Sequence, residues 1–238
     1  MFTTEPTAVN AATGASLVTM SSRSERWLPT LLSVIAGMVD VIGFLSLGIF
    51  TAHVTGNIVV IGALVVRHNR VNPAQILAIP VFIAAVAATW LVARASGRRG
   101  IGLLRSLLLM QFLLMVCVLM FSVVAKPSAD PNGLMTTITA MLAVTAMGCQ
   151  FALLRLTLPV APSTAVMTGN LTNAVLALVD SGSRTPLMER DGRRLTGALH
   201  LLVGFFVGCV VAAAAVMYLG DWAWSLPAVL SAATVALR

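Results

Sequence analysis

Asp40 stands midway along an apolar run, AGMVDVIGFLSLG, where a charged carboxylate costs about 2.5–3.5 kcal/mol if the run crosses a membrane. Such an acid must be paired, protonated or facing water. It either binds a cation or carries a proton, or it hydrogen-bonds to another helix or to the Thr-Gly-Asn segment of the opposite half. Two such segments exist, because the tripeptide Thr-Gly-Asn occurs twice, as Thr55, Gly56, Asn57 and as Thr168, Gly169, Asn170. Glycine lets a neighbour approach closely, and a Thr hydroxyl and an Asn amide satisfy backbone groups released where a helix starts. The same residues could line a ligand path or serve as caps and interhelical glue. Gln150, in MGCQFALLRL, sits in its apolar run roughly where Asp40 sits in its own, as a neutral hydrogen-bonding counterpart or as the maker of an interhelical bond. His53 precedes the first Thr-Gly-Asn and, with His200, offers a proton path or a structural bond. Arg155 is expected to snorkel to the interface rather than pair with Asp40.

No enzymatic constellation accompanies these residues. G-x-S-x-G, H-E-x-x-H and phosphate-loop patterns are absent from the sequence, and Ser33 and Ser46 near Asp40 lack the base a hydrolase needs. The chain therefore reads as a non-enzyme, without a cofactor or metal motif. Cys117, Cys149 and Cys209 lie in apolar stretches without C-x-x-C spacing, so they read as small core residues.

The elements that hold these residues are set by composition. Of 238 residues, 58% are hydrophobic and 10% charged, against roughly 25% charged in a soluble domain; the mean hydropathy is +0.96. Apolar spans fall at about 28–49, 74–94, 104–125, 134–157, 195–219 and 222–237, most near the roughly 20 residues that cross a bilayer. The formal charge of +7 comes in short clusters between spans, with no basic face or aromatic interleaving. Lipid head groups and topology explain that pattern, and nucleic acid is excluded as a partner. Residues 1–26 form a Ser-, Thr- and Ala-rich tail, expected to be disordered and cytoplasmic because Arg23 and Arg26 precede the first span.

The segments from Phe50 to Val66 and from Ser163 to Val179 align at an offset of 113, sharing Thr51/Thr164, Ala52/Ala165, Thr55/Thr168, Gly56/Gly169 and Asn57/Asn170. The match implies a duplicated unit, with repeat one at about 27–126 and repeat two at about 133–238 within one membrane domain, 27–238. If the two segments do not span, Arg94, Arg98, Arg99 and Arg105 fall on the cytoplasmic side with Arg184, Arg190, Arg193, Arg194 and Arg238, which the positive-inside rule prefers. Three crossings per unit then make the repeats inverted. The expected fold is all-α: a polytopic bundle of about six transmembrane helices plus two broken or re-entrant Thr-Gly-Asn helices.

The run AGMVDVIGFLSLGIFTAHVTGN followed by TAVMTGN resembles the YoaK-like family of bacterial membrane proteins, domain of unknown function 1275, over roughly residues 27 to 237. The resemblance implies an all-helical fold and a bacterial inner-membrane location. It draws attention to Gly37, Asp40, Gly43, His53, Thr55, Gly56, Asn57, Gln150, Thr168, Gly169 and Asn170, and supplies no substrate.

Inverted repeats, paired helix breaks and an intramembrane acid recur in secondary transporters. The expectation is a small-molecule transporter or permease, multi-pass, with its N-terminus cytoplasmic. The two Thr-Gly-Asn segments would meet at a midplane site, and Asp40 would couple exchange to a proton. Free N–H groups at half-helix N-termini would favour an anion, whereas Asp40 would favour a cation or proton. The alternative is a non-transporting scaffold, sensor or accessory subunit. The partners are the bilayer and a small molecule, and a homo-oligomer is compatible with the sequence.

Overall fold

The computed structural model describes residues 22–97, 99–130, 133–158, 163–164, 167–180 and 188–237. Their regular elements are helices, with no strand among the described residues. Helix α1 (Ser22–Leu47) begins inside the segment read as a tail, of which residues 1–21 lie outside the described residues. It stops at Gly48, whose φ of +70° suits glycine. After a non-helical stretch comes the short α2 (Gly56–Val66). Helix α3 (Pro73–Ala95) starts on a matched cap: Asn72 Oδ1 accepts the Ala74 N–H at 2.9 Å, and Pro73 sits where a missing N–H costs nothing. Helix α4 (Ile101–Ala125) and a 3-10 turn (Pro127–Ala129) lead to α5 (Leu134–Thr157). Then follow α6 (Met167–Asp180), α7 (Met188–Leu219), a 3-10 turn (Gly220–Trp224) and α8 (Ser225–Ala236).

Among the described residues, five stretches are long and apolar enough to cross a membrane: Trp27–Leu47, Pro73–Ala95, Ile101–Val124, Leu134–Thr157 and Leu195–Ala236. The fifth is 42 residues long and contains both of the last two expected spans. Its helix breaks at Gly220, which has a φ of +54°. There the chain reverses. Ser122, at the C-terminal end of α4, donates to the Asp221 carbonyl at 3.2 Å, and α8 then packs along α4 and α1. Helix α2, 11 residues long, reaches only about 16 Å, half the apolar thickness of a bilayer.

Helices α1 and α5 form the centre, each with 67% of its apolar window buried against 17% for α3. Helix α7 packs on α1, α3 on α5, and α4 on α5 and α8; α2 lies on α3, and α6 on α7. Glycine sets the closest approach. A Cβ on Gly37 would overlap the Phe205 carbonyl, one on Gly208 would overlap the Val34 carbonyl, and one on Gly204 would come within 3.0 Å of the Thr30 carbonyl. Ser33 Oγ donates to the Leu201 carbonyl across the same seam at 2.6 Å. Thr30 with Gly204 and Val34 with Gly208 advance together, so α1 and α7 run parallel. On α5, Gly148 takes the same part: its Cβ would meet Ala85 of α3 at 2.8 Å. Small residues at such crossings replace the hydrophobic drive that lipid cannot supply. The outer surface is apolar, with Val59, Ile83, Val124, Phe206 and Val229 among the exposed side chains. Of the cysteines expected in the core, Cys149 is buried, Cys209 half-buried and Cys117 exposed. Cys117 therefore corrects that expectation, since α4 turns it outward from the bundle.

Candidate functional site

Asp40 is 4% exposed, and its carboxylate is held by the chain that follows its own helix. Oδ1 accepts three consecutive backbone N–H groups, from Thr51 at 3.0 Å, Ala52 at 2.7 Å and His53 at 3.2 Å. Oδ2 lies 2.5 Å from His53 Nδ1. Thr51 adds a bond from its hydroxyl to the Val39 carbonyl at 3.0 Å. Gly43 makes room, because a Cβ there would come within 2.8 Å of the Thr51 methyl. Charge-assisted bonds of this kind, several on one carboxylate, are what let an acid stay in a dry interior. Of the two structural partners expected for Asp40, neither is used: it binds neither the opposite Thr-Gly-Asn segment nor another helix, but the loop of its own half.

The excursion from Gly48 to Asn72 is fastened to α1 at both ends. Thr51 to His53 dock seven or more residues back from the helix end, a depth of roughly 10 Å at 1.5 Å per residue. The return end is tied at the tip of the helix. Asn72 Nδ2 donates to the Leu47 carbonyl at 3.2 Å and Gln75 Nε2 to the Gly48 carbonyl at 3.0 Å. Helix α3 thus starts beside the place where α1 stops, and α2 lies between two points at one end of α1.

Within the excursion, Asn57 is fully buried and closes a loop on Phe50, accepting its N–H at 2.9 Å and donating to its carbonyl at 2.8 Å. Gly56 leaves space for the Phe50 ring, 3.0 Å from where a Cβ would stand, and that ring stacks on Phe44 with centroids 4.8 Å apart. Thr55 does not act as expected. It is exposed, its backbone is already helical (φ −66°, ψ −23°), and it makes no side-chain cap bond. The first N–H groups of α2 are instead used by a tight turn, Gly56, Asn57 and Ile58 donating to the carbonyls of His53, Val54 and Thr55. The N–H groups expected to face an anion are therefore occupied.

In the second half, Asn170 is 5% exposed and its Nδ2 donates to the Ser163 carbonyl at 2.8 Å, the same seven-residue closure that joins Asn57 to Phe50. Thr168 is exposed and Gly169 half-buried; Ala165 lies outside the described residues. The two Thr-Gly-Asn segments are not brought together by these bonds, each of which closes within its own segment, and α2 and α6 rest on different helices. Gln150 is not the counterpart of Asp40. It is fully buried, takes a 2.6 Å bond from Gln111 Nε2 of α4, and donates to the Leu32 carbonyl of α1 at 2.9 Å. If Gly148 is set on Gly37, the place of Asp40 falls on Phe151, which packs on Phe82 with centroids 5.9 Å apart. Among the described residues, the second half shows no counterpart of the Asp40–His53 contact. Arg155 is exposed, and His200, also exposed, bonds to the Thr196 carbonyl of its own helix at 2.7 Å, so the structure does not join it to His53.

Residues 28–237 match the family described as "Protein of unknown function (DUF1275)". The chain belongs to this family. Nothing matches it among curated proteins or among solved structures. Over the matched span, this DUF1275 member sets the Asp40 carboxylate against the His53 imidazole. The pair can hold or exchange a proton. With Nδ1 turned to Asp40, His53 Nε2 is enclosed and has no hydrogen-bond partner, and Phe205 of α7 lies edge-on at 5.1 Å. The same carboxylate that meets His53 is the shared acceptor of three loop N–H groups. Gln111, fully buried, is the polar residue that sequence reasoning passed over. Its signal was a second lone amide in the apolar run next to that of Gln150, which two adjacent helices can pair.

Proposed function

We propose that the protein is a small-molecule transporter of the bacterial inner membrane in which Asp40 and His53 exchange the coupling proton. The observation that carries this reading is the excursion from Gly48 to Asn72, which leaves and rejoins α1 at one end while docking on a buried acid. In a bilayer, non-helical backbone is tolerated at depth where protein buries it or a cavity admits water. On this reading α1, α3, α4, α5 and α7 cross, the 3-10 turn and α8 together (Gly220–Trp224 and Ser225–Ala236, roughly 28 Å of helix) make the sixth crossing, the N-terminus is cytoplasmic, and α2 and α6 are re-entrant. Pairing of α1 with α7 and of α5 with α3, of α2 with α3 and of α6 with α7, supports two inverted halves. The matching closures by Asn57 and Asn170 support the same duplication.

The occupied N–H groups at the start of α2 weigh against an anion held there and toward a proton or cation at Asp40. Protonation of Asp40 weakens its hold on Thr51, Ala52 and His53 and frees the loop to move between inward-open and outward-open packings. The protein then binds and passes its substrate without a chemical step, and its partners are lipid and a small molecule rather than nucleic acid. A second reading is favoured by one specific fact: the Asp40 and Asn57 side chains are both satisfied by their own loop, as in a scaffold or sensor whose polar motifs only lock helices.

Growth and uptake across a panel of small molecules separate the two, with wild type, a null strain, Asp40→Asn and His53→Gln at matched membrane abundance. Transport predicts at least one compound whose flux needs the protein and is lost in both variants. No flux difference across the panel, with stable protein, sinks the transport reading.

A further inference from the structure

On the outer face of α3, Phe82, Ile83, Val86, Ala87 and Trp90 line a wholly apolar groove of about 440 Å³. One turn beyond it, the exposed Arg94 places its guanidinium carbon 5.4 Å from the centroid of the Trp90 ring. Among the described residues no carboxylate pairs with Arg94. From Phe82 to Arg94 the helix rises roughly 18 Å, close to the roughly 15 Å of one hydrocarbon leaflet. The apolar stripe therefore ends at head-group level, where an interfacial Trp and a snorkelling Arg are at home.

We infer that this face of α3 is a binding site for an anionic phospholipid. One acyl chain lies along the groove from Trp90 toward Phe82, and the phosphate pairs with Arg94. Cation–π contact with Trp90 holds the guanidinium in place while its outer N–H groups stay directed to the head group. A zwitterionic lipid fits the groove equally well but lacks the net charge that Arg94 selects, so the site discriminates by head group. This inference is independent of the transport reading.

The test uses full-length protein in phosphatidylcholine vesicles containing a minor fraction of either phosphatidylglycerol or phosphatidylcholine with brominated chains, which quench tryptophan on contact. The share of Trp90 is the difference between wild type and Trp90→Phe. At about 1 kcal/mol per basic residue near the surface, brominated phosphatidylglycerol should compete for Trp90 about five-fold better than brominated phosphatidylcholine. Arg94→Gln should bring the ratio to one, whereas Arg94→Lys, which keeps the charge, and Arg67→Gln, at the end of α2, should preserve it. Equal quenching by the two lipids in wild type, an unchanged ratio in Arg94→Gln, or an equal loss in Arg67→Gln would each overturn the proposal.

Discussion

At the scale of single residues, Asp40 carries two burdens that substitution can separate. Its Oδ1 serves three backbone N–H groups, and its Oδ2 meets His53. Asp40→Ala leaves those groups without their acceptor in a buried site and should destabilise by about 3–5 kcal/mol. Asp40→Asn retains one carbonyl oxygen for the loop and should cost about 1–2 kcal/mol. Thermal unfolding in detergent should rank them in that order, and equal midpoints would contradict the anchoring role. His53→Gln, which leaves the backbone bonds in place, should unfold near the wild-type temperature. Asp40 was conspicuous in the sequence because an acid is costly in an apolar run. Its partners were not, because backbone N–H groups belong to every residue and only the folded loop decides which three converge.

At the scale of elements, glycine decides how closely helices pack. Gly208 faces the Val34 carbonyl with no room for a Cβ, whereas a Cβ on Gly62 of α2 would meet nothing within 4 Å. Gly208→Val should therefore lower the unfolding midpoint by several degrees, as overpacking costs about 1–3 kcal/mol. Gly62→Ala should leave it unchanged or raise it, since Gly inside a helix costs about 0.5–1 kcal/mol relative to Ala; circular dichroism on heating reads both. Asn57→Ala, which strands both the N–H and the carbonyl of Phe50, should cost about 1–3 kcal/mol by the same measurement. Helix positions were legible because long apolar runs bounded by charge or glycine leave few choices: the span expected at 134–157 is α5, Leu134–Thr157. The role of Thr55 was not legible. A Thr before Gly-Asn looks like a cap, yet its helical φ and ψ turn the hydroxyl away, and a backbone turn does the capping. The interhelical bond of Gln150 was legible, but its partners were not. Position along a span says how deep a residue lies but not which neighbour it faces, and the neighbours of Gln150 are Gln111 and α1.

At the scale of the whole molecule, the proposal rests on the path of the chain between α1 and α3. Bonds from Asn72 and Gln75 to the end of α1 make that path start and finish at one level, and the family match extends over 28–237. The repeated tripeptide hinted at this architecture, but the arrangements in which the two Thr-Gly-Asn segments span, giving eight crossings, or do not span differed in the sequence only by which arginines face the cytoplasm. A membrane-impermeant thiol reagent applied to intact cells tells them apart through single cysteines at Asn69, after α2, and at Arg99, after α3. A re-entrant α2 predicts that Asn69→Cys is labelled from outside and Arg99→Cys only after the cells are permeabilised. The reverse pattern, with Arg99→Cys labelled in intact cells and Asn69→Cys protected, would mean that α2 crosses the bilayer and would contradict the account.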